Sequence, residues 1–353
     1  MIQYPVRFCL DNLRRAINIP SKPFLINYSL TFRCDFKCKH CGVWSLENNY
    51  AQEELSASEV SRFLDDKSLK KLAVIVITGG EPFLKEDLVE ILLEFKKKTI
   101  ARIFHITTNG FLTEKIIESV FFLKSRGVNL DLKISIDDIG LRHDELRGKD
   151  ESFQKAVNTI TRLRSAFGKK DLFIGINQTI YEENYKSIPK VKKLACELGV
   201  VYFGFIGLKQ RALYSNIGES DFGLTDLSNE AKVFISEELT KDYSKKILLN
   251  NFSETMERVV IKHYIKGQLK LLNDEMFKHR CMNLFSHFRL NPNGDILTCS
   301  YDIDSLGNIK QECYSSILKK RKTITRLNKI KNCGKCWLGC EVTPSRVASL
   351  FLA

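Results

Sequence analysis

No segment of the 353-residue chain approaches the roughly eighteen consecutive apolar residues that a membrane span requires. The N-terminus also lacks the apolar stretch of a secretory signal, and neither an internal repeat nor a low-complexity tract is visible. Together these absences exclude a helical membrane protein and lead to the expectation of a cytoplasmic one. A third gap is more telling: after Cys41 no cysteine occurs until Cys196.

What is present is ordinary in bulk and unusual in its cysteines. A hydrophobic content of 44% with 27% charged residues suits a globular protein of about two domains. Eleven cysteines in a reducing compartment argue for metal or redox chemistry over disulfides. Three of them crowd between Cys34 and Cys41 and six lie between Cys281 and Cys340, leaving Cys9 and Cys196 apart. Cys196, within the helical pattern of Val191, Leu194, Ala195 and Leu198, reads as a small buried hydrophobe. The net charge of +13 concentrates from Lys310 to Lys335, where nine Lys or Arg meet one acid, Glu312. That stretch reads first as the solvated face of a helix whose apolar side is Ile317, Ile324, Leu327 and Ile330. A docking surface for an acidic electron donor is the second reading.

The centre of the sequence is Cys34-x3-Cys38-x2-Cys41, directly after the strand-like run Phe24–Leu30. Such spacing lets three thiolates from one loop converge, and iron–sulfur clusters are held by thiolates, normally four. With no fourth cysteine nearby, one iron stays open to a small molecule. Structural zinc is the alternative, although it usually closes its tetrahedron with more Cys or His ligands. The triplet, with His40 before its third cysteine, resembles the signature of the radical S-adenosylmethionine (SAM) superfamily. That resemblance implies a 4Fe–4S cluster whose open iron chelates S-adenosylmethionine, and an electron transfer that releases a 5′-deoxyadenosyl radical.

Strand-like runs recur at Leu72–Ile77, Arg102–Thr107, Leu130–Ile136, Leu172–Thr179 and Val201–Ile206, with helical patterns between them. One helix opens with the capping-box pattern Ser56-Ala57-Ser58-Glu59. This alternation predicts an α/β fold with a parallel sheet, and the resemblance implies a partial (β/α)6 radical SAM barrel. Sites in parallel barrels gather at the C-terminal strand ends, where the remaining motifs stand. Gly79-Gly80-Glu81-Pro82 resembles the family's GGEP motif, which binds the methionine amino group. Two glycines allow close backbone approach to a ligand, and Glu81 can accept from an ammonium. By the same resemblance Asn109 lies near the cofactor, and Ser135 and Arg147 hold the methionine carboxylate. A planar guanidinium suits that task. Gln178 is a further cofactor-binding candidate beside the adenosine, while Asp137 and His143 read equally well as turn and packing residues. No general base is identifiable.

The C-terminal cysteines follow a different pattern. Asn293-Gly294 signals a hairpin with arms Phe288–Leu290 and Ile296–Thr298, flanked by Cys281 and Cys299. Cys333-x2-Cys336 follows. The arrangement resembles the SPASM and twitch domains of radical SAM enzymes. It implies one auxiliary 4Fe–4S cluster on Cys281, Cys299, Cys333 and Cys336, while Cys313 and Cys340 leave ligand exchange or a second, incompletely ligated cluster as the minority reading. Zinc remains the alternative occupant. The expected organisation is an N-terminal helical extension (1–23), the barrel (24–215), a helical connection (216–278), the twitch/SPASM-like domain (279–345) and a tail (346–353). The implied activity is abstraction of a substrate hydrogen atom, by a peptide- or protein-modifying maturase or a natural-product oxidoreductase. A small-metabolite dehydrogenase, decarboxylase or epimerase is the alternative. Ser300, where sulfatase-maturing relatives carry Asp after the second auxiliary cysteine, argues against sulfatase maturation. The barrel begins so early that a peptide substrate is expected to need some other means of capture. Expected partners are a flavodoxin- or ferredoxin-type donor and the substrate. A zinc-stabilised nucleic-acid-binding protein is the distant alternative, and no recognised module supports it.

Overall fold

The computed structural model describes residues 13–17, 19–46, 54–209, 223–224, 227–244, 252–273, 275, 281–300, 304–333 and 345. Six strands follow one another as expected: β1 Leu25–Thr31, β2 Val74–Gly79, β3 Ile103–Thr108, β4 Leu130–Ser135, β5 Phe173–Ile180 and β6 Val201–Ile206. They pair in parallel and in chain order. Between them run α1 Ala57–Phe63, α2 Leu88–Lys98, α3 Thr113–Ser125, α4 Leu141–Arg147, α5 Ser152–Ala166 and α6 Ile188–Glu197. The Ser56 capping box is formed, with Ser56 and Glu59 accepting from each other's backbone N–H. Right-handed crossovers in a sheet wound one way put the helices on one face. Ile26, Tyr28, Leu30, Ile75, Ile77, Ile106, Leu132 and Ile134 join the apolar core on that side. By strand alternation, Asn27, Ser29 and Thr31 turn to the opposite face, where they too are buried.

A short pair follows, β7 Leu208–Lys209 with β8 Gly223–Leu224, and then helices α7 Asn229–Ser244 and α8 Phe252–Leu272 in the expected connection. Ile235, Leu239, Ile265 and Leu272 pack with Ile180, Ile188 and Ile206 as a second core over the β5–β6 end.

The C-terminal hairpin forms between β9 His287–Leu290 and β10 Asp295–Leu297, antiparallel with Ile296 opposite Leu290. Gly294 takes φ +96° at its turn. This hairpin is continuous with the barrel sheet: β9 adds to β1 in parallel, with Asn27 opposite Arg289. The sheet therefore runs β11-β10-β9-β1-β2-β3-β4-β5-β6, where β11 is Gly307–Asn308. Among the described residues its edges, β6 and β11, do not pair, which fits a partial barrel. The core is shared as well, since Phe288 lies 4.4 Å from Tyr314 and 6.4 Å from Phe63, centroid to centroid.

The basic stretch is two helices, α9 Tyr314–Lys319 and α10 Arg321–Lys331, separated by extended Lys320. Ile317, Leu327 and Ile330 are buried as expected, but Ile324 is 45% exposed. The buried stripe of α10 is Thr323, Leu327, Ile330, and the next position on the helix falls outside it. Cys196 needs a similar correction. It is exposed, because α6 turns Val191 and Ala195 inward and their helical phase leaves Cys196 on the outer side. Among the described residues, no helix is long and apolar enough to cross a membrane.

Candidate functional site

The loop that carries Cys34, Cys38 and Cys41 leaves the end of β1 and is docked on three neighbours. The first is the turn after β2. Gly80 N–H donates to the Thr31 carbonyl at 2.7 Å and Glu81 N–H to the Arg33 carbonyl at 2.9 Å. A Cβ on Gly79, at φ +125°, would stand 2.2 Å from the Thr31 oxygen, and one on Gly80 2.0 Å from the Arg33 oxygen. The close approach these glycines permit is thus to the chain's own backbone, one residue ahead of Cys34.

The second support is the end of β3. Asn109 Nδ2 donates to Asp35 Oδ1 at 2.9 Å, inside the cysteine loop. Glu81 braces this corner: Oε2 accepts from Asn109 N–H at 2.7 Å, and Oε1 from the Thr108 hydroxyl at 2.8 Å and Phe83 N–H at 3.1 Å. Burial pushes its carboxyl up to about 7, against those three hydrogen bonds. Glu81 therefore joins β2 to β3, with both oxygens engaged by protein donors.

The third support is the end of α4. Lys39 N–H donates to the Leu146 carbonyl at 3.0 Å, and left-handed Gly148 caps the helix so close that a Cβ would meet the Lys37 carbonyl at 2.6 Å. Arg147 is delivered here. Its Nη1 lies 3.8 Å from Cys38 Sγ and its Nε 2.8 Å from Asp137 Oδ2.

Asp137 organises this corner to an extent the sequence did not reveal. It is fully buried. Its Oδ1 accepts from Thr179 N–H, and its carbonyl from Gln178 Nε2 and Asn184 Nδ2, each at 2.9 Å. Its own N–H donates to His143 Nδ1 at 3.1 Å. Burial alone would raise its carboxyl, but Arg147, His40, His143 and the Thr179 N–H together outweigh it and hold the group below the usual range. Gln178 also takes the Tyr202 hydroxyl on Oε1 at 2.7 Å and donates to Ser187 at 2.8 Å, so its amide is spent on this frame. Ser135 stands opposite Asn177 in the β4–β5 register, and the Asn177 Oδ1 atom is buried without a partner. The Asp-Asp pair closing the β4 run was the available signal for Asp137. Nothing local pointed to Asp35, Asn184 or Ser187.

All three thiols are free. Burial raises each, that of Cys38 to about 11 with Arg147 opposing. Burial likewise lowers His40 to about 4 and keeps its ring neutral, 5.3 Å from the Tyr181 ring. His40 Nδ1, His143 Nε2 and the Tyr181 hydroxyl are buried without hydrogen-bond partners. Buried polar atoms left unpaired are costly, and here they stand near the Arg147 cation, which lies 3.8 Å from Cys38 Sγ. That donor set fits a sulfide-rich anionic cluster. Among the described residues no three His, Cys, Asp or Glu side chains converge on a single metal ion. A 4Fe–4S cluster needs no such convergence, because its thiolates bind different irons.

A family model described as the Radical SAM superfamily matches residues 28–195, the span that contains this loop and its three supports. Residues 28–195 are a radical SAM domain. The AdoMet-dependent heme synthase of Methanosarcina barkeri is 26% identical over 330 residues, covering 92% of this chain and 90% of that protein. Pre-heme d1 synthase of Dinoroseobacter shibae is 30% identical over 182 residues, 52% of this chain and 42% of that one. The subtilosin biosynthesis protein AlbA of Bacillus subtilis is 28% identical, over 52% and 39%. The chain thus spans nearly all of the first relative but about half or less of the other two. SuiB of Streptococcus suis, solved with S-adenosylmethionine bound, superposes with a TM-score of 0.60 at 16% identity, over 90% of this chain and 70% of its own. The AdoMet-bound anSMEcpe structure gives 0.58 at 17%, over 85% and 81%.

In the C-terminal region Cys281 is buried, Cys299 half-buried and Cys333 exposed. Cys336 and Cys340 lie outside the described residues. Arg289, fully buried on β9, donates to Ser300 Oγ and to Ser29 Oγ, each at 2.7 Å. It therefore ties the residue after Cys299 to β1. Cys313 is exposed, and hydrogen bonds from Ser315 and Ser316 lower its thiol.

Proposed function

We propose that this protein is a radical SAM enzyme in which Cys34, Cys38 and Cys41 hold the catalytic cluster and Cys281, Cys299, Cys333 and Cys336 an auxiliary one. When bound and reduced, the catalytic cluster supplies the electron that cleaves S-adenosylmethionine, giving the adenosyl radical that removes a substrate hydrogen atom. The observation that carries this reading is the cysteine loop itself: three free thiols, docked by three strand- and helix-end turns, with a guanidinium and unpaired polar atoms near them. Arg147, anchored by Asp137, would hold the methionine carboxylate together with Ser135 at the end of β4. Gly79, Gly80, Glu81 and Asn109 shape the wall on which the cosubstrate rests, and Gln178 fixes the β5 side of it. Neutral His40 and Tyr181 shield the loop from water.

For the substrate, the likeness to AlbA, a bacteriocin biosynthesis protein, supports a peptide. A second reading, a tetrapyrrole-like small molecule, is favoured by end-to-end similarity to the heme synthase. An acidic flavodoxin- or ferredoxin-type donor would find cations at Lys319, Arg321, Lys322 and Lys329, all exposed. Eleven cysteines suit a reducing, cytoplasmic setting. The test is anaerobic incubation with S-adenosylmethionine and dithionite. Formation of 5′-deoxyadenosine and methionine by the wild type but not by Cys38→Ala supports the assignment, and equal cleavage by both would refute it.

A further inference from the structure

A helical turn at residues 13–16 lies against the C-terminal cysteine region. Arg15 Nε donates to the carbonyl of Cys281 at 3.0 Å, and its Nη2 to the carbonyl of Lys331 at 2.7 Å. Lys331 answers with Nζ to the Ala16 carbonyl at 2.7 Å. Lys331 ends α10, two residues before Cys333. One guanidinium thus spans two segments that approach Cys281 and Cys333 from opposite ends of the region. The strand-like chain that follows the turn continues the contact, with Phe24 N–H donating to the Ser286 carbonyl at 2.8 Å. Ser345 holds the next peptide, accepting from Met282 N–H at 3.0 Å.

We propose that Arg15 is a positioning residue for the auxiliary cluster, a clasp that sets the separation of the Cys281 and Cys333 backbones. The inference rests on reading Cys281, Cys299, Cys333 and Cys336 as one cluster site. Its physical basis is the geometry of arginine. The donors of a planar guanidinium point in fixed directions, so two carbonyls bound to one fork cannot drift independently. Lysine offers a single point of charge and no fork. The carbonyl at the end of α10 also lacks a helical partner and sits at the negative pole of the helix dipole, so a cation is favoured there. Helix capping alone would not require the same side chain to hold the carbonyl of a cysteine. Ligand positions tolerate only small displacements, about 0.5 Å.

The test uses the full chain carrying Cys34/Cys38/Cys41→Ala, in which all remaining iron belongs to the C-terminal site. Iron and sulfide per chain are measured after anaerobic reconstitution, with electron paramagnetic resonance after dithionite reduction. The parent triple variant is expected to hold about four irons, and adding Arg15→Met to leave less than about one. Adding Arg15→Lys instead should recover only part of the loss. Arg15→Met in the otherwise wild-type chain should keep the about four irons of the catalytic cluster. Full iron and an unchanged signal after Arg15→Met in the triple background would overturn the clasp. So would loss of the catalytic cluster in the single variant, since that would mark a global effect. A triple variant that binds no iron would defeat the auxiliary-cluster reading itself, a result visible before Arg15 is touched.

Discussion

The two cysteine groups of this protein are assembled in opposite ways. Cys34, Cys38 and Cys41 stand within eight consecutive residues, and the turns after β2 and β3 and at the end of α4 reach in to support that one loop. Cys281, Cys299 and Cys333 are spread over more than fifty residues and are tied by long side chains, Arg15 reaching Cys281 from the far end of the chain and Arg289, on the hairpin itself, joining Ser300 to Ser29. A local group depends on tight turns and glycine. A dispersed group depends on long, forked side chains that can bridge segments. The two should therefore fail under different substitutions.

The largest expected effect is at the local group. Cys38→Ala should reduce S-adenosylmethionine cleavage below detection and lower iron by about four per chain, leaving the C-terminal iron in place. Chromatography of 5′-deoxyadenosine and an iron assay decide it, and parallel loss of both irons would merge what is here kept separate. Next comes the anchor of Arg147. Asp137→Ala leaves a buried guanidinium uncompensated and should cost about 3–5 kcal/mol of unfolding free energy, read from denaturant titration. A loss under about 1 kcal/mol would mean that the pair is not the organising contact of that corner.

Gly80→Ala isolates the backbone contribution. Its methyl would need space now held by the Arg33 carbonyl, 2.0 Å away, so a cost of about 1–3 kcal/mol is expected. Weaker retention of the loop's iron should accompany it, while the C-terminal iron stays constant. If that variant loads both sites like the wild type, the supporting role of the β2 turn fails.

The smallest effect lies away from both groups, in the His105–Asp131 pair, 2.8 Å apart. Burial would raise the Asp131 carboxyl, but His105 and Lys133 outweigh it and hold it below its ordinary value. A depressed carboxylate stabilises the fold above its unfolded pKa and loses that contribution as pH falls through the folded one. Asp131→Asn should therefore cost up to about 1 kcal/mol at pH 6, with the difference from wild type shrinking as pH falls below about 4. Neither iron site should change. A difference that widens on acidification would reverse the sign assigned to this group.

Much of the plan was legible along the chain. Each of the six strand runs became a strand displaced by at most two residues, because β-branched runs broken by turn residues describe the backbone locally. The Cys34–Cys41 spacing and the Asn293-Gly294 turn were likewise local statements. The partners of Glu81 were not legible. Its motif suggested a residue offered to a ligand, whereas Thr108, Asn109 and Phe83 occupy its oxygens. Nor was Asp137, whose role depends on donors from β5 and the turn after it. Ile324 and Cys196 show the same limit on helices, where period alone does not say which edge of a stripe meets the core.

The sequence by itself determined the elements, their order and the type of chemistry, since hydrophobic period, turn residues and thiolate spacing act over a few residues. Only the tertiary structure decided that the C-terminal hairpin would extend the barrel sheet at β1, that Arg147 would sit between Asp137 and Cys38, and that Arg15 would reach Cys281. Those outcomes depend on pairing between segments up to 266 residues apart. No local pattern encodes such pairings, because they arise when buried donors and acceptors must find partners wherever the packed fold brings them.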